Sequence, residues 1–195
     1  MDINEGLQIC QVILDGIQII TIDGWMGSGK TYFKEQIKFN DLMKISLDDY
    51  IEKETGLYLE VFKYDELKSL INKSLEHKKK LLIDGVCINE ILQDIDIEAD
   101  FKVYIKQLDS LGEWYYEKYL DTSKSLEEVF QMDDEETSEP LFENMTTIDN
   151  DAKKQSDELL KARRGLFYDL VRYHRNYLPI ETCDLLIEQP YRENN

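Results

Sequence analysis

The run Gly24-Trp25-Met26-Gly27-Ser28-Gly29-Lys30-Thr31 follows directly on the apolar stretch Ile17 to Asp23, and it constrains the chain more than any other feature. It matches the pattern G-x-x-x-x-G-K-[ST] through Gly24, Gly29, Lys30 and Thr31. Glycines let successive backbone N–H groups turn toward an anion at places where a side chain would collide. A helix opening near Lys30 adds its positive end. Lys30 is expected to reach the outer phosphates of a nucleoside triphosphate, with the Thr31 hydroxyl as a ligand for Mg²⁺. Met26, Ser28 and Tyr32 complete the expected lining of this nucleotide loop. The alternative, a plain Gly/Ser turn, does not account for the strand before the loop or the helix after it.

Short apolar runs recur along the chain at Ile17–Ile22, Leu42–Leu47, Leu81–Val86, Phe101–Ile105 and Leu185–Ile187. None alternates strictly, which predicts strands buried on both faces, as in a parallel sheet. Helical spacing lies between them: Lys30–Phe39, Asp65–Lys78, Ser110–Leu120, and a long stretch from about Ala152 to Leu178 that Pro179 ends. The first sixteen residues suit a helix or a pre-strand. Strands alternating with helices give the α/β class, a sandwich with a mainly parallel sheet. The 195 residues are read as one such domain, 1–195.

Composition narrows the partners. A net charge of −18 repels nucleic acid and anionic membrane. Cys10, Cys87 and Cys183 lack zinc spacing, which suggests reduced thiols. No signal-peptide pattern opens the chain, and no apolar run approaches the ~20 residues that cross a bilayer. The expected setting is the cytoplasm. Between Asp121 and Asp151 eleven acids face the single base Lys124, so ten of the eighteen negative charges lie there. This stretch reads as a solvated insertion, or as a partner-binding or regulatory segment.

Two carboxylate sites stand where such a fold would use them. Leu81-Leu82-Ile83-Asp84-Gly85 is an apolar strand ending in an acid, the Walker B arrangement. Asp84 would hold the metal directly or through water, and Gly85 would leave room beside the nucleotide. A strand-end Asp in a turn is the alternative. Lys44-Ile45-Ser46-Leu47-Asp48-Asp49-Tyr50 ends another strand with paired acids. There Asp48 could orient an acceptor hydroxyl and take its proton, although Ser46, Asp48 and Asp49 also suit helix N-caps.

These elements, with Asp100–Ile105 and the closing Tyr177-Leu178-Pro179 and Cys183–Ile187, resemble the uridine kinase-like branch of P-loop kinases, which also contains phosphoribulokinase and pantothenate kinase. The resemblance spans roughly Ile17 to Ile187. It implies a three-layer P-loop NTPase fold with a mainly parallel, about five-stranded sheet, ATP and Mg²⁺ on the donor side, and a small-molecule hydroxyl acceptor. Asp48 falls on the catalytic acid of the family's DxF element, with Tyr50 at its aromatic position. Tyr58, Tyr64 and Asp65 fall in the stretch where the family builds its acceptor pocket. The family's lid arginines have Arg163 and Arg164 as counterparts here, with Arg172 and Arg175 as alternatives. Two departures stand out: Asp84 replaces the more usual Glu, and Ser110–Asp157 contains no arginine. The acidic stretch would form the lid or insert, about 121–157. The resulting expectation is an ATP-dependent kinase for a nucleoside or similar metabolite. The alternative is a nucleotide-binding switch or interaction protein.

Overall fold

The structure is a computed structural model and describes residues 1–51, 58–126, 128–129 and 165–190. In chain order the elements are α1 (Ile3–Ile13), β1 (Ile19–Gly24), α2 (Lys30–Gln36), β2 (Leu42–Ser46), a 3-10 turn (Leu47–Tyr50), α3 (Tyr64–Glu76), β3 (Lys80–Asp84), α4 (Ile88–Asp94), β4 (Phe101–Gln107), a second 3-10 turn (Tyr115–Tyr119), a helix over 165–177 named α5, and β5 (Leu185–Gln189). The sheet is parallel throughout, in the order β2-β3-β1-β4-β5.

All six residues of β1 are buried, as a central strand between two helical layers requires. Ile20 and Ile22 pack on one face with Phe33, Ile37 and residues of α1. Ile19, Leu81 and Ile83 pack on the other with Leu67, Ile71, Ile91 and Leu170. The result is the three-layer α/β architecture expected from the apolar runs.

Register brings the reactive segments together. Ile22 pairs with Asp84, and Asp84 pairs with Ser46. The Gly24 loop, Asp84 and the Leu47–Tyr50 turn therefore leave the sheet side by side at its carboxyl edge. From β1 the chain passes to β2 on one side, while β3 crosses back to β4 on the other. That reversal opens the crevice in which α/β sheets hold ligands.

Several expected elements differ in detail. The ambiguous N-terminus is helix α1, capped by Asp2, whose carboxylate accepts the N–H groups of Asn4 and Glu5 at 2.8 and 3.0 Å. The expected helix Ser110–Leu120 is reduced to the turn Tyr115–Tyr119. Asp109 accepts the N–H groups of Leu111 and Glu113, a local turn that competes with helix before Gly112. Helix α4 has no counterpart among the sequence expectations. Of the long helix predicted over Ala152–Leu178, the part over 165–177 is helical, and it ends as Leu178 turns left-handed before Pro179. Residues 152–164 and most of the acidic segment lie outside the described residues.

Candidate active site

The loop between β1 and α2 is held open by glycine geometry. At Gly24 a Cβ would lie 2.4 Å from the Ile105 carbonyl oxygen and 2.6 Å from Ser28 Oγ. Gly29 is left-handed, with φ +86°, where it caps α2. Among the described residues, the N–H groups of Gly27, Gly29, Lys30 and Thr31 have no hydrogen-bond acceptor. Consecutive free amides on a left-handed turn form a nest for an anion.

Lys30 lies at the centre of this turn. Its Nζ donates to the carbonyl oxygens of Gly24 and Trp25 at 2.9 and 2.7 Å. Burial pushes its pKa down, while the charges of Asp23, Asp48 and Asp84 hold it up. The ammonium is thus enclosed by acids from the ends of three adjacent strands. Trp25 is buried and packs in an aromatic group, stacked on Tyr116 at 4.4 Å and tilted on His174 at 4.8 Å.

Asp48 lies in the Leu47–Tyr50 turn and serves as no helix cap: the turn carries no side-chain capping bond. Its side chain is open to solvent at the mouth of the site. Partial burial raises its pKa and the Lys30 charge opposes that rise. Tyr50 stacks on Phe62 at 6.2 Å, and Tyr64 donates its hydroxyl to the Leu59 carbonyl at 3.2 Å. Asp65 is exposed in the first turn of α3. Tyr58 is buried, and its hydroxyl has no partner among the described residues.

Asp84 ends β3 with both carboxylate oxygens engaged. The Thr31 hydroxyl donates to Oδ2 at 3.1 Å, and Lys34 Nζ donates to Oδ1 at 2.6 Å. A divalent cation would find the Thr31 hydroxyl beside the phosphate cradle, but Asp84 is not an open ligand. Among the described residues, no group of three or more His, Cys, Asp or Glu side chains could hold a metal ion. Gly85 gives no room to a nucleotide either: a Cβ there would lie 2.6 Å from Leu47 Cβ, so the glycine lets β3 approach the Asp48 turn.

Arg172 is paired with Glu90 at 2.7 Å, and Arg175 donates to the carbonyl oxygens of Lys124, Tyr119 and Asp121. Both hold structure together. Arg163 and Arg164 lie outside the described residues.

Three site residues escaped the sequence reading. Asp23, buried at the end of β1, accepts the Gly24 N–H at 2.7 Å and the Tyr173 hydroxyl. Burial raises its pKa to about 6 against those two bonds. The only signal was an acid closing an otherwise apolar strand. Tyr173 gave none. Lys34 could have been found from spacing, since it sits three residues after Thr31 and so shares its helix face.

No helix among the described residues is long and apolar enough to cross a membrane. No protein-family model and no curated protein matches the chain in sequence. In structure it is similar to a solved protein described as a possible uridine kinase from Bacillus stearothermophilus. The TM-score is 0.50 at 14% identity, over 96% of this chain and 100% of that one. With the glycine-rich loop after β1 and a parallel sheet in the order 2-3-1-4-5, the chain shares the three-layer α/β fold of this structural neighbour.

Proposed function

We propose that the protein is an ATP-dependent kinase that transfers the γ-phosphate to a hydroxyl group of a small molecule, a nucleoside or a similar metabolite. One observation carries the reading: the Lys30 ammonium, inside a turn of unpaired amides, is within electrostatic reach of the Asp48 carboxylate just after β2, one strand beyond β3. A cradle for the donor phosphates and a base for the acceptor thus share one edge of the sheet.

In this reading the amides of Gly27 to Thr31 bind the phosphates, and Lys30 leaves its loop carbonyls to follow the charge of the moving phosphoryl group. Magnesium, bound with the nucleotide, would supply further charge neutralisation with Thr31 as its protein ligand. Asp48 accepts the proton of the acceptor hydroxyl, a task helped by its raised pKa. Tyr50, Tyr58, Tyr64 and Asp65 border the acceptor side, and Arg163 and Arg164 are the proposed lid cations. The setting is the cytoplasm, where ATP is abundant and the free thiols of Cys10, Cys87 and Cys183 stay reduced.

The test is purified protein with ATP and magnesium, offered nucleosides, vitamins and sugars, with ADP release as the readout. Release that requires one acceptor class supports the reading. Nucleotide binding with no turnover across the whole panel overturns it in favour of a switch.

A further inference from the structure

Lys34 is a buried charge in an unusual place. Its Nζ lies 2.6 Å from Asp84 Oδ1, and the two side chains are only 7% and 2% exposed. Thr31 occupies the other carboxylate oxygen. The carboxylate from which a metal would be held therefore already has a full positive charge against it, shielded from water and salt.

We propose that Lys34 is the resident cation of Asp84, so that the loop takes up its triphosphate without depending on a divalent metal at that carboxylate. The inference rests on the nucleotide reading above and adds to it. Three features lead there. The helix puts Lys34 one turn beyond Thr31, so its ammonium and the Thr31 hydroxyl meet on the two oxygens of Asp84. A metal ligated directly by Asp84 would meet the buried Lys34 charge at contact range, in surroundings that screen it poorly. Displacing Lys34 from Asp84 to make way would leave its buried ammonium unpaired, a costly state. Lys34 is a positioning residue: it acts through Asp84 and Thr31 and does not touch the transferred group.

The experiment measures ATP dissociation constants of the full chain by calorimetry, once with magnesium and once with EDTA. Wild type, Lys34→Gln and Lys34→Arg are compared, and Mn²⁺ binding to the nucleotide-free proteins is followed by electron paramagnetic resonance. The wild-type constants are expected to differ by less than about fivefold, with no Mn²⁺ bound. Lys34→Gln should exceed that ratio and bind Mn²⁺, and Lys34→Arg should restore wild-type behaviour. A purely structural role for Lys34 would weaken both affinities alike and leave the ratio unchanged. A wild-type ratio of about fivefold or more, or an unchanged ratio in Lys34→Gln, overturns the proposal. If Lys34→Gln does not fold, the wild-type ratio decides alone. Tight binding confined to magnesium sinks this inference and leaves the nucleotide reading standing. Failure of the wild type to bind ATP in either buffer sinks both.

Discussion

The Tyr173 hydroxyl of α5 donates to the Asp23 carboxylate at the base of the phosphate-type loop, linking residues 150 positions apart. The same hydroxyl accepts the Asn89 N–H at 3.3 Å, and Asp23 holds the Gly24 N–H. The loop is thereby tied to α4 and α5. Residue 174, next on α5, is a neutral histidine: Nδ1–H donates to the Leu170 carbonyl at 2.7 Å, so Nε2 accepts the Tyr104 hydroxyl at 2.6 Å.

These neighbours titrate with opposite consequences. Burial raises Asp23 from 3.8 to about 6, so the folded state holds a proton that the unfolded chain releases, and stability falls as pH rises through that window. Burial lowers His174 from 6.5 to about 4, so the unfolded chain holds a proton that the folded state refuses, and stability grows over nearly the same window. Each effect is worth about 3 kcal/mol, and they offset. Denaturant titrations at several pH values should therefore show Asp23→Asn gaining about 3 kcal/mol relative to wild type between pH ~4 and ~6. His174→Gln should lose a similar amount. Parallel curves for variant and wild type would refute the assignment.

Lys30 and Asp48 should separate binding from chemistry. Lys30→Ala removes the cation of the cradle, with an expected turnover loss of ~10²–10³-fold or more and weakened ATP binding. Asp48→Asn should lose about 10²–10⁴-fold in turnover and retain ATP affinity. Normal turnover by Asp48→Asn would remove it from the role of base. Calorimetry beside steady-state assays makes the distinction.

Gly85 is predicted to tolerate no side chain. Gly85→Ala pushes a methyl group into Leu47, 2.6 Å from its Cβ, and should cost about 2 kcal/mol, read as a lower Tm. In a Leu47→Gly background the same change should cost much less, because the colliding atoms are gone. Equal costs in both backgrounds would mean that another contact governs the site.

The Tyr58 hydroxyl is buried and has no partner among the described residues, so Tyr58→Phe should leave stability unchanged or raise it by up to about 1 kcal/mol. If the hydroxyl awaits the acceptor, the same variant should raise KM for the acceptor and leave KM for ATP unchanged. A clear drop in Tm would show that it has a partner in the folded protein.

The sheet and the loop were legible in the sequence because each has a strong local signal. β1 and β3 are continuous apolar runs, and the glycine pattern of the loop fits few other conformations. Asp84 and Asp48 were legible for a related reason: an acid directly after an apolar strand has to emerge at the sheet's edge. The role of Gly85 was misread because its neighbour, Leu47, lies 38 positions away and comes close only through the β2–β3 register. Spacing puts Lys34 on the helix face of Thr31 but does not name its partner Asp84, and Tyr173 meets Asp23 through a tertiary relation that helical periodicity does not carry. The segment after β4 was read as helix from its aromatic spacing, but Asp109 captures the backbone first.

The chain has two tryptophans, and both stand at the phosphate-type loop: Trp25 within it and Trp114 against it, with ring centroids 6.4 Å apart. Fluorescence excited selectively at tryptophan therefore reports on this one corner of the molecule. An unlabelled sample carries its own optical gauge of whether the loop changes when a ligand arrives.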